Sequence, residues 1–129
     1  MGNTAVIRML NAIQAPYALA TPVVECVENA LQADQLKQAE DGVALIVSER
    51  DRVMNSLRKY GFITRIWPSS ANFFLMQVEN AETIVNACAQ QKILLRFFGG
   101  SLSDCIRVSI GSPDENTRLL QVFDTIEGS

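Results

Sequence analysis

The 129 residues include no histidine, which removes the commonest general base and every Ser-His or Cys-His nucleophile arrangement. Cysteine is scarce and scattered: Cys26, Cys88 and Cys105 are odd in number and form no CxxC pair. Neither a zinc site nor a disulfide framework is expected, and three reduced, mostly buried thiols fit a cytoplasmic protein. No apolar run approaches the roughly 18 residues a bilayer span requires; Val43–Val47 is a short run. The first residues lack the ordered regions of a signal peptide, and Val6 stands where a myristoylation motif needs Ser or Thr. GxGxxG, GxxxxGK[ST] and HExxH are all missing, and Gly99-Gly100 reads as a turn. With 11 basic against 14 acidic residues the net charge is −3, so a nucleic-acid partner is not expected. One or two local arginines could still hold a small anion.

What is present is an ordinary globular composition, 48% apolar and 19% charged, in a length that fits one domain. Val6, Ile7, Leu10 and Ile13 have helical spacing up to Pro16. Thr21-Pro22 reads as a helix start, Thr21 as cap, with Val23, Val24, Val27, Ala30 and Leu31 continuing to about Ala33. A second, longer helix is expected over about 35–60. Val43, Ile46, Val47, Arg50, Val53, Met54, Leu57 and Tyr60 lie on one side, with Glu49 among the residues of the wet side. Gly42 weakens this helix and Gly61 stops it.

The period then changes. Residues 63–67 and 72–78 read as strands, and Asn80 as the cap of a short helix over 81–91. Strands are expected at 93–97 and 105–110. Ser112-Pro113-Asp114-Glu115 combines an N-cap, a first-position proline and a capping-box Glu ahead of a final helix with Leu119, Leu120, Phe123 and Ile126 inward. The reading is α+β: a small, mostly antiparallel sheet in the order ββαββα, helices on one face, preceded by two helices.

The residues that stand out are arginines inside strands. Alternation puts Arg107 opposite Ile106, Val108 and Ile110, on the face of Cys105 and Ser109. Arg96 interrupts Ile93-Leu94-Leu95-Arg96-Phe97-Phe98. A charge among such neighbours needs an anionic partner or water, and a guanidinium fork matches carboxylate or phosphate. If the strands bring the two together they form an anion pocket. The alternative is an arginine whose stem packs while its head reaches solvent.

Four segments occur in order: Ala15-Pro16-Tyr17-Ala18-Leu19-Ala20-Thr21-Pro22-Val23, Ser70-Ala71-Asn72-Phe73, Leu94-Leu95-Arg96, and Cys105-Ile106-Arg107-Val108-Ser109-Ile110-Gly111-Ser112-Pro113-Asp114-Glu115-Asn116. Together they resemble the C-terminal region of the histidinol-phosphate aminotransferases, a branch of the fold-type-I pyridoxal-phosphate enzymes. The resemblance implies that Arg107 matches the arginine holding the substrate α-carboxylate and, in this branch, helping with the substrate phosphate. It implies that Arg96 matches a second phosphate-contacting arginine, that Asn72 lies near the active-site rim, and that Tyr17 lies near the substrate entrance, where packing between domains is its better-supported role.

The family's cofactor lysine, its pyridine-nitrogen Asp and its aromatic ring-stacker have no counterpart here. The resemblance therefore implies a single domain, residues 1–129, that is the C-terminal part of a larger enzyme, with about 1–20 as connector from a large domain. Such a part would bind no cofactor and be inactive alone. The parent would bind pyridoxal phosphate, work as a homodimer, and exchange an amino group between glutamate and imidazole-acetol phosphate in histidine biosynthesis. Other class I/II aminotransferases and related decarboxylases share the carboxylate arginine. A free-standing ferredoxin-like ligand-binding or regulatory module is the alternative from a different class.

Overall fold

A computed structural model describes residues 2–14 and 19–128, so Tyr17 lies outside the described residues. The chain forms two compact units, residues 1–40 and 41–129. The first contains α1 (Thr4–Ile13), α2 (Thr21–Ala30) and the start of α3 (Ala33–Leu57). Three helices thus precede the sheet where the sequence suggested two. The break between α2 and α3 is a short turn at Leu31 and Gln32, whose amides bond to Val27 and Asn29 carbonyls. Thr21 is the first helical residue and not the cap; Ala20 holds that place, and Pro22 supplies the preset backbone of the first turn. None of the described residues of this unit is buried.

The second unit holds the core. The strands β1 (Ile63–Ile66), β2 (Phe73–Val78), β3 (Arg96–Phe97) and β4 (Cys105–Ser109) form one antiparallel sheet in the order β1-β2-β4-β3. The helix α4 (Ala81–Gln90) lies between β2 and β3 in the chain, and α5 (Pro113–Glu127) follows β4. One face of the sheet presents Phe74, Met76, Val78, Ile106 and Val108, every one buried. They pack with Val53 and Leu57 of α3, Ala81, Ile84 and Cys88 of α4, and Leu119 and Phe123 of α5. Burying each such Phe, Leu, Ile, Val or Met contributes roughly 1.5–3 kcal/mol. The ββαββα order with helices on one face is the observed one.

The last helix starts as its sequence dictates. Ser112 Oγ accepts from the Glu115 amide at 3.4 Å, and Glu115 Oε2 accepts from the Ser112 amide at 2.8 Å, with Pro113 at the first position. Asn80, by contrast, precedes α4 in a left-handed conformation (φ 55°) without a side-chain cap bond. The expected strand 93–97 shrinks to Arg96–Phe97, because Lys92 takes φ 61° after α4 and Leu94 stands 89% exposed.

The packed side of α3 begins later than its periodicity suggests: Val43 and Val47 are exposed. Glu49, expected on the wet side, is buried at 8% exposure. Arg52 Nε and Nη2 donate to its two oxygens at 2.8 and 2.7 Å, and Asn116 Nδ2 donates at 2.8 Å. The Arg52 bonds first, then Asn116, hold this carboxyl below its ordinary range. Asn116 also exchanges two 3.0 Å bonds with the Gly111 backbone, tying the β4–α5 turn to α3.

Candidate functional site

The other face of the sheet carries the arginines. In β4 the residues Cys105, Arg107 and Ser109 alternate with the buried Ile106 and Val108, and in β2 Phe73, Leu75 and Gln77 alternate with Phe74, Met76 and Val78. Arg107 is the register partner of Leu75 on one side and of Arg96 on the other. The two arginines therefore stand directly opposite one another on adjacent strands, where Cα atoms lie about 4.5–5.5 Å apart. Like charges so placed destabilise a sheet, by about 0.2–1 kcal/mol.

No ion pair among the described residues offsets that repulsion. Ion pairs join Arg50 to Asp51, Arg52 to Glu49 and Lys59 to Asp124, and neither Arg96 nor Arg107 enters one. Asp104, at the mouth of β4, is engaged elsewhere, accepting from Gln77 Nε2 at 2.5 Å and from the Cys105 thiol at 3.3 Å. Those two bonds, Gln77 first, lower its carboxyl below the ordinary value. Arg107 Nε is buried and has no hydrogen-bond partner among the described residues. A buried donor without a partner costs about 1–3 kcal/mol, and a bound anion is the group that would use this cationic pair.

Each guanidinium on this face rests on an aromatic ring. The Cζ of Arg107 lies 5.0 Å from the Phe73 ring centre and that of Arg96 5.8 Å from Phe98. Arg65, the register partner of Gln77 on β1, stacks on Trp67 at 4.8 Å. All three distances fall in the cation–π range. Arg65 was not singled out from the sequence. Its signal is the Arg-x-aromatic spacing it shares with Arg96-Phe97-Phe98, since residues two apart share a strand face.

Asn72 is exposed just before β2, its carbonyl accepting from the Ile110 amide at 2.8 Å. No hydrogen bond of its side chain links it to the arginine pair among the described residues. The carboxylates expected to serve solvation or capping behave so at Asp114 and Glu115 but not at buried Glu49. Of the thiols, Cys88 and Cys105 are buried and Cys26 is exposed. Among the described residues no helix is long and apolar enough to cross a membrane, and no group of three or more Cys, Asp or Glu could hold a metal ion.

Comparison with known proteins places the chain in a family. Residues 1–123 match the family described as aminotransferase class I and II. A histidinol-phosphate aminotransferase of Xylella fastidiosa (strain 9a5c) is 34% identical over 98% of this chain and 35% of its own length. A second, histidinol-phosphate aminotransferase 2 of Idiomarina loihiensis, is 33% identical over 94% of this chain and 34% of its length. The crystal structure of the histidinol-phosphate aminotransferase from Clostridium acetobutylicum superposes with a TM-score of 0.78 at 26% identity, covering 98% of this chain and 39% of that one. The chain spans about a third of the length of these relatives. An α+β unit of this topology, with paired strand arginines and a match over nearly all its residues, belongs to the aminotransferase class I and II family.

Proposed function

We propose that this chain is the substrate-gripping C-terminal part of a histidinol-phosphate aminotransferase. On this reading Arg107 takes the carboxylate of the amino-acid substrate and shares with Arg96 the phosphate of the other. The observation that carries the reading is the pair itself: two cations directly opposite on adjacent strands, neither in an ion pair among the described residues, one of them with a buried Nε that has no partner there. The relatives named above support the choice of substrate. The intact protein would then be a cytoplasmic homodimer acting in histidine biosynthesis. Asn72 would stand at the rim, with Tyr17 packing between domains near the entrance.

The family implies pyridoxal phosphate in the parent enzyme. That aldehyde needs an amine to hold it, and the residues of this chain do not fit the role. Lys59 is bonded to Asp124 at 2.6 Å, and Lys92 occupies the exposed turn after α4. Lys37 belongs to the first compact unit. The bond-making chemistry falls to the part of the parent beyond this chain, and what this chain contributes is electrostatic: it holds the anionic ends of the substrates in a fixed place, which lowers the entropic part of the barrier.

A charge-assisted hydrogen bond contributes roughly 1.5–3 kcal/mol, about one to two decades of kcat/KM. Arg107→Ala in the intact protein lowers kcat/KM for histidinol phosphate with 2-oxoglutarate by at least that much; an unchanged value refutes the grip. Arg96→Ala lowers turnover of histidinol phosphate and spares phenylalanine, because only a phosphorylated substrate needs the second guanidinium. Equal losses on both substrates would remove the assignment of Arg96 to phosphate.

A further inference from the structure

We propose that Phe73 is a positioning residue for Arg107, setting the plane and direction of its guanidinium before an anion arrives; this rests on Arg107 gripping substrate. No hydrogen bond or ion pair holds that guanidinium among the described residues, and its Nε is buried and unpartnered. The contact that restrains it is the ring 5.0 Å from its Cζ. The relation differs from those of Arg65 and Arg96, whose rings, Trp67 and Phe98, lie two residues on in the chain, just past the ends of their strands. Phe73 opens β2 opposite Ser109 of β4, so it meets Arg107 diagonally across the strands, within reach of an aromatic ring.

Phe73 contributes little to the core. It is 39% exposed and lies outside the buried cluster formed by Phe74, Met76 and their neighbours. Its backbone is nevertheless firmly placed. Ser69 Oγ accepts from the Ala71 amide at 3.0 Å and donates to the Phe73 carbonyl at 2.5 Å. Arg50 Nη1 donates to the Ala71 carbonyl at 3.3 Å, and the Ile110 amide donates to the Asn72 carbonyl. A large ring half in solvent on a well-tied strand end, facing an otherwise unrestrained cation, is an arrangement for orienting that cation. Preset geometry lowers the cost of ordering a flexible arginine when the anion binds.

The test is a double-mutant cycle in the intact protein: wild type, Phe73→Leu, Arg107→Ala and the double variant, read as kcat/KM for histidinol phosphate with the melting temperature beside it. Phe73→Leu lowers kcat/KM about 2- to 30-fold in wild type, the range of a cation–π contact, and less than twofold in Arg107→Ala. Phe73→Tyr keeps the ring and stays within about twofold of wild type. An equal loss in both backgrounds overturns the proposal, since it means a structural effect. So does a Phe73→Leu that changes nothing, or a Phe73→Tyr that falls as far as Leu. Should Leu fail to fold, Phe73→Met takes its place in the cycle. An Arg107→Ala without effect overturns the substrate grip, and positioning with it; a large effect there beside none at Phe73 overturns positioning alone.

Discussion

Replacing Asn116 by Ala removes three hydrogen bonds at once, and the structure sets the size of the loss. Asn116 is 2% exposed. Its Nδ2 donates to the Glu49 carboxylate at 2.8 Å and to the Gly111 carbonyl at 3.0 Å, while Oδ1 accepts from the Gly111 amide at 3.0 Å. The bond to the carboxylate is charge-assisted and contributes about 2 kcal/mol, and the two backbone bonds about 1 kcal/mol each. Water reaches the half-buried Gly111 backbone and recovers part of that sum, leaving about 3 kcal/mol. For a unit of this size each kcal/mol moves the melting temperature by roughly 4–8 °C, so Asn116→Ala melts about 12–24 °C lower in a thermal scan at pH 7. Asn116→Asp does no better, because it turns an acidic oxygen toward Glu49. A shift of under about 3 °C for Asn116→Ala would refute the reasoning, showing that the turn between β4 and α5 is held by its capping box alone.

Two further outcomes follow from the same structure. The Glu49 carboxyl titrates below its ordinary value of 4.5, held down by Arg52 and then Asn116; a depressed carboxylate stabilises above its unfolded pKa and loses that contribution as the pH falls through its folded one. Unfolding free energies of wild type and Glu49→Gln from urea titrations therefore differ by about 1–2 kcal/mol near pH 7, Arg52 being partly in solvent; the gap closes as the pH falls through the lowered folded-state pKa of Glu49, and a gap independent of pH would contradict the ion pair. Burial pushes the Cys88 thiol up to about 11 and raises that of Cys105, while Cys26 is exposed. An aromatic disulfide reagent at pH 8 then labels one thiol quickly and the other two only in denaturant, and rapid labelling of three would contradict the packing around α4 and β4.

Local chemistry carried much of the fold. The capping box at Ser112 and Glu115, the alternation of Ile106, Arg107 and Val108, and the apolar spacing of Leu119 and Phe123 each concern residues within a turn or a pleat of one another. The structure bears out each of them. Where local signals were weak or competed, the reading slipped. The cap of α2 is Ala20, one place before the Thr21 that the Thr-Pro signal points to. Ile93–Leu95 have strand composition but follow α4 through a left-handed Lys92 and leave Leu94 in solvent. Glu49 lies one residue from Arg50 on a helix with charges on several sides, and its burial depends on α5 arriving with Asn116.

The candidate site divides the same way. Sequence alone determined that Arg107 turns away from the core, because side chains alternate along any strand. Only the tertiary structure decided that Arg96 stands opposite Arg107 and that Phe73 lies beneath it. Those are matters of register among three strands separated by α4 and a loop. Register is set by which faces the core can bury together, and no short stretch of residues encodes that.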